Sequence, residues 1–138
     1  MIRHIVAAVD DSGAGLAAAK ESFLIASLAS AELRLVHVRP LHPSEEAPGS
    51  GPADSSGQEL LDYVLRMAEQ AGVSAEVVLR HGYAGEQILL AAREWPADLI
   101  VIGRRDTGGA GEPYVGSETR EVLEFSECPV LVVPRRVG

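Results

Sequence analysis

Leu99-Ile100-Val101-Ile102, preceded by Ala97-Asp98 and followed by Gly103, is the stretch whose reading decides the fold. Four large apolar residues in a row, mostly β-branched and closed by a glycine, are too short for a buried helix. They suit a β-strand covered on both faces. The same signature recurs at Ile5-Val6-Ala7-Ala8-Val9 and at Val130-Leu131-Val132-Val133, while Leu33 to Val38 and Val73 to Leu79 supply two more strands.

Helical spacing fills the intervals. Asp11 and Ser12 can cap a helix from about Gly15 to Leu28, with Leu16, Ala19, Phe23 and Ala26 on one face. Ser56 and Glu59 read as a capping box for a second helix, whose face is Leu61, Val64, Leu65 and Ala68 and which ends near Gly72. Ile88, Leu89, Ala92 and Trp95 form a third, stopped by Pro96, and a fourth runs from about Ser117 to Phe125. Pro40 to Gly57 is rich in Pro, Gly and Ser and reads as a flexible, disordered loop inside a single domain spanning 1–138.

Five strands alternating with four helices imply parallel pairing and right-handed crossovers. The expected fold is a flavodoxin-like, doubly wound α/β protein: a three-layer α/β/α sandwich around a five-stranded parallel sheet of order 3-2-1-4-5. In such sheets ligands bind beyond the carboxyl ends of the strands, where the winding reverses. Attention therefore falls on Asp10 and Asp11, Val38 and Arg39, His81 and Gly82, and the chain from Gly103 onward.

Composition narrows the function. Twelve basic residues against 20 acidic give a net charge of −8, which repels nucleic acid and anionic membranes. No apolar run approaches the ~20 residues that span a bilayer. The N-terminus enters a strand without a signal-peptide pattern, so a cytoplasmic protein is expected. Cys128 is the single cysteine, leaving no internal disulfide or CxxC motif and reading as a buried thiol.

The segment Gly103-Arg104-Arg105-Asp106-Thr107-Gly108-Gly109-Ala110-Gly111-Glu112-Pro113-Tyr114-Val115-Gly116-Ser117-Glu118-Thr119 could carry binding chemistry. Glycines let backbone N–H groups approach an anion, and a helix starting at Gly116-Ser117 adds orphan donors and a positive dipole end. Ser117 and Thr119 could donate hydroxyls to the same anion. A plain loop with Ser117 as an N-cap is the alternative.

The ordered set Ile5-Val6-Ala7-Ala8-Val9-Asp10-Asp11-Ser12, Leu35-Val36-His37-Val38, Ala97-Asp98-Leu99-Ile100-Val101-Ile102-Gly103 and Cys128-Pro129-Val130-Leu131-Val132-Val133 resembles the universal stress protein family. The ATP-binding branch of that family carries Gly, two residues, Gly, nine residues, then Gly-Ser or Gly-Thr. Gly103 holds the first place here, Gly116-Ser117 the last, and Thr119 matches a hydroxyl that follows. Asp106 stands where the middle glycine belongs. The resemblance implies that Asp10 lies near the ribose and adenine of ATP or another adenine nucleotide, and that the backbone around Val38 meets the adenine edge. Asp106 sets a carboxylate against the phosphates, which calls for Mg²⁺ between them. Arg104 and Arg105 against Asp106, Glu112 and Glu118 leave the segment at −1. The resemblance thus implies a stress-response regulatory module that binds ATP and at most hydrolyses it slowly. The alternative is a dimeric interaction module in which Asp106 has abolished ATP binding.

Other readings fit less well. A phosphoacceptor receiver domain needs an Asp after its third strand and a Lys after its fifth, where this chain has Arg80-His81-Gly82 and Pro134-Arg135-Arg136. Lys20 is the single lysine, so a Gly-Lys-Ser/Thr phosphate loop is excluded. Rossmann and flavodoxin phosphate cradles would follow the first strand, where Asp10-Asp11 has the wrong sign. His4, His37, His42 and His81 lack metal-ligand spacing. His37 reads as a hydrogen-bonded structural residue, and His81 is the histidine nearest the expected ligand edge. No catalytic set emerges. Finally, Pro129 to Pro134 is an apolar edge strand, and the family resemblance implies a homodimer joined through Val130–Val133.

Overall fold

The computed structural model describes residues 1–41, 55–104 and 116–134. Its elements run β1 (His4–Ala8), α1 (Gly13–Ala29), β2 (Glu32–Arg39), α2 (Ser55–Gln70), β3 (Ala75–His81), α3 (Ala84–Glu94), β4 (Leu99–Arg104), α4 (Ser117–Phe125) and β5 (Val130–Pro134). The sheet order is β3-β2-β1-β4-β5, with every pair parallel. Both the five strands and their order match the reading of the sequence.

Apolar strands with no polar face are explained by the register. Ile5 pairs with Leu33 on one side and Leu99 on the other, while Val6 pairs with Arg34 and Ile100. Because successive side chains point to opposite faces, each strand feeds two cores. Ile5, Ala7, Leu33, Leu35 and Val101 pack with Phe23 of α1 and with Leu61, Val64 and Ala68 of α2. Val6, Val36, Ile100 and Ile102 pack with Ile88, Ala91 and Ala92 of α3 and with Val122 of α4. Each fully buried Val, Leu or Ile contributes on the order of 1.5–3 kcal/mol, so the two layers hold the sheet from both sides.

Local signals set the helix ends. Ser12 caps α1, its Oγ accepting from Gly15 N at 3.0 Å. Ser30 closes α1 in the left-handed region at φ 53°, its N–H directed to the Ala26 and Ser27 carbonyls. Four alanines on α1, Ala14, Ala18, Ala19 and Ala26, are buried and let this helix lie close over β1 and β4.

Some boundaries differ from expectation. The second helix begins at Ser55, so Ser55, Ser56 and Gly57 belong to α2 rather than to the loop expected at 40–57, of which 42–54 lie outside the described residues. Ser56 is in the first turn and not at the cap. Its Oγ accepts from Arg39 Nη1 at 2.7 Å, a tertiary contact that the local pattern does not reveal. The third strand is shifted two residues along, to Ala75–His81, because its register is set by pairing with β2 from Leu33↔Ala75 to Arg39↔His81.

Candidate functional site

The winding reverses between β1 and β4. There the carboxyl ends of the strands and the starts of α1, α3 and α4 enclose a cavity of about 630 Å³. That volume is in the range of small-molecule sites. Asp10, Val38, Gly103, Gly116, Ser117 and Thr119, the sequence candidates among the described residues, all line it. Asp106 lies outside the described residues.

Asp10 follows β1 and is fixed by the turn into α1. Its Oδ1 accepts from Ser12 N at 2.9 Å and from the Ser12 hydroxyl. A Cβ on Gly15 would overlap that same Oδ1, so the first turn of α1 closes over the carboxylate only because residue 15 is glycine. Beside it, His37 Nδ1 is 2.8 Å from the Val9 carbonyl. A carbonyl can only accept, so Nδ1 is the donor in this contact. This is the structural role expected of His37, though its ring also lines the cavity. His81 is exposed at the end of β3 and does not line it; Gly82 and Tyr83 do.

Gly103 has a packing reason of its own. A Cβ there would lie 2.5 Å from the Ala14 carbonyl oxygen and 3.0 Å from Ala14 Cβ, so the glycine lets α1 cross the end of β4. Its carbonyl accepts from Thr119 Oγ1 at 3.0 Å, which ties the start of α4 to β4 and commits the Thr119 proton inside the protein. Gly116 is different: it is the N-cap of α4, without a side-chain cap bond, and among the described residues nothing lies within 4 Å of a Cβ placed there. Ser117 is therefore the first residue of the helix and not its cap. Packing against the described residues does not require glycine at 116, whereas a ligand brought close to the backbone would.

The wall also contains residues that the sequence did not single out. Glu121 reaches from α4 to the start of α3, where a Cβ on Gly85 would overlap its Oε1. Ile88 and Tyr83 line the α3 side, with Tyr83 largely exposed at the rim. Asp11, already flagged by the sequence after the first strand, and Glu118, already part of the Gly103–Thr119 segment, complete the acidic lining. Among the described residues no three His, Cys, Asp or Glu side chains converge in a way that could hold a metal ion. Nor is any helix among them long and apolar enough to cross a membrane.

Residues 1–134 match the model of the universal stress protein family. The chain belongs to this family. It is 32% identical over 142 residues to universal stress protein MJ0531 of Methanocaldococcus jannaschii, covering 98% of this chain and 84% of that one. Within the family its fold is similar to a universal stress protein from Archaeoglobus fulgidus, with a TM-score of 0.82 at 24% identity over 96% of this chain and 99% of that one. The universal stress protein from Archaeoglobus fulgidus in complex with dAMP aligns with a TM-score of 0.75 at 25% identity, again over 96% and 99%.

Proposed function

We propose that this universal stress protein binds an adenine nucleotide, ATP or a shorter relative, in the cavity at the carboxyl ends of β1 and β4, and acts as a cytoplasmic stress-response regulatory module rather than a catalyst. The observation that carries this reading is convergence. Asp10, Val38, Gly103, Gly116, Ser117 and Thr119 come from four separate stretches of chain and line one cavity of nucleotide size. The dAMP complex of the Archaeoglobus fulgidus relative supports the adenine class. In this reading Asp10 takes the ribose hydroxyls, the Val38 backbone takes the adenine edge, and Gly116-Ser117 with the first turn of α4 takes phosphate. Thr119 holds that turn in place through Gly103. A Mg²⁺ ion, where present, arrives with the phosphates. The single cysteine suits a reducing compartment. We also read the protein as a homodimer paired through β5.

Calorimetric titration of AMP and of ATP, with and without Mg²⁺, into the native chain and an Asp106→Gly variant tests the reading. Saturable binding by the native chain is expected. Binding by Asp106→Gly alone would mean that one carboxylate has silenced the site. Silence from both would leave a protein interaction module in place of a nucleotide switch.

A further inference from the structure

Three helices start at the carboxyl edge of the sheet around the cavity, and each start already has a carboxylate beside it. At α1, Asp10 accepts from Ser12 N and Oγ, with Asp11 next to it. At α3, the Glu121 carboxylate lies against Gly85. At α4, Glu118 occupies the first turn. A helix N-terminus is worth roughly half a positive charge. Here that charge is met by the protein's own acids before a ligand enters. Asp10, Asp11, Glu118 and Glu121 line the cavity, and no Lys or Arg does so among the described residues. Arg39, at the end of β2, donates to Ser56 of α2, and Arg104 ends β4 without lining the cavity.

Resting on the adenine-nucleotide reading, we infer that the cavity sorts ligands by phosphate charge: it takes nucleosides and nucleoside monophosphates and disfavours a metal-free triphosphate, with Glu118 and Glu121 as the specificity-determining residues. Asp10 is held in its turn by Ser12 and faces the ligand whatever the phosphate count. Glu118 lies in the first turn of α4 and Glu121 reaches from α4 to the start of α3, so both face the side of the cavity where successive phosphates would gather. Unit charges of like sign within about 8 Å at a protein surface change binding by roughly tenfold, so each added phosphate charge weakens the complex. The uncharged part of the ligand is unaffected.

The test is calorimetric titration of adenosine, AMP and ATP in EDTA into the native chain and into Glu118→Gln/Glu121→Gln. The native chain is expected to bind AMP at least about tenfold more tightly than ATP. The double variant is expected to close most of that gap and to bind adenosine as the native chain does, which also reports that it folds. Metal-free ATP binding the native chain as tightly as AMP would overturn the inference. So would a gap that the double variant leaves intact. If none of the three ligands binds either protein, the adenine reading falls and the inference with it; if they bind without ranking by charge, the inference falls alone.

Discussion

Gly15 and the Asp10 carboxylate are mutually dependent: a Cβ at residue 15 would overlap Asp10 Oδ1 and come within 2.8 Å of Asp10 N. Asp10 sits where it does because α1 begins with a residue that has no side chain. Gly15→Ala must therefore either turn the carboxylate out of its contact with Ser12 or push the first turn of α1 away from β1. The expected result is a loss of about 1–3 kcal/mol in urea denaturation, typical of overpacking, together with weaker nucleotide binding. Gly116→Ala is the contrasting case. Its Cβ meets nothing within 4 Å among the described residues, so the stability change stays within about 1 kcal/mol, while nucleotide affinity falls. A Gly116→Ala variant that binds as well as the native chain would remove Gly116 from the site.

Gly103 poses the same problem with less room to adjust. The atoms that a Cβ would meet, Ala14 O at 2.5 Å and Ala14 C at 2.6 Å, are backbone and cannot rotate away. Gly103→Ala is expected to destabilise the chain by about 2 kcal/mol or more, since helix and strand must separate. Full stability in that variant would show that α1 and β4 slide past one another freely.

The central strands β1 and β4 were legible because burial on both faces leaves them almost wholly apolar, and Leu99-Ile100-Val101-Ile102 cannot be read as anything but a covered strand. The fourth helix was legible to the residue, from Ser117 to Phe125. Gly103 stands out in the sequence as a motif glycine, and the structure adds a reason the motif does not contain, its close approach to the Ala14 backbone. What stayed hidden were contacts made across the fold. Glu121 meets Gly85, and Ser56 meets Arg39, only after the helices dock. Helical periodicity says that Glu121 lies beside the buried Val122 but not which neighbour it faces. In sequence His37 reads as structural and His81 as the histidine nearest the ligand edge, yet it is the His37 ring that lines the cavity while His81 is exposed outside it. Their roles separate because His37 Nδ1 reaches the Val9 carbonyl across the β1–β2 pair.

At the opposite edge of the sheet, Asp98 gives a pH-dependent contribution of known sign. Its Oδ2 accepts from Arg3 N at 2.8 Å and His4 N at 3.0 Å, and these bonds hold its carboxyl below the usual aspartate range. A depressed folded-state value means that the stabilisation is complete above the unfolded value of about 3.9 and is lost as pH falls through the lower folded value. Asp98→Asn should accordingly be less stable than the native chain at neutral pH, and the difference should shrink below about pH 4. Urea denaturation at stepped pH checks this. A difference that stays constant down to strongly acid pH would mean that the amide simply disturbs packing.

The exposed edge of the sheet supplies the last prediction. β5 pairs with β4 from Ile100↔Val130 to Arg104↔Pro134, and in the order β3-β2-β1-β4-β5 no strand among the described residues lies along its other edge. Val130 and Val132 pack toward α3 and α4, Val133 is buried on the opposite face, and Leu131, on that same face, is left 36% exposed. An apolar edge strand with open hydrogen-bonding groups favours pairing with another copy, and a lysine there opposes it. Sedimentation at micromolar concentration should find the native chain dimeric and Leu131→Lys monomeric, with unchanged circular dichroism. Loss of the dimer together with loss of helix signal would point to unfolding, in which case Leu131→Thr, which keeps strand propensity, separates the two effects. A native chain that sediments as a monomer would defeat the proposed pairing outright.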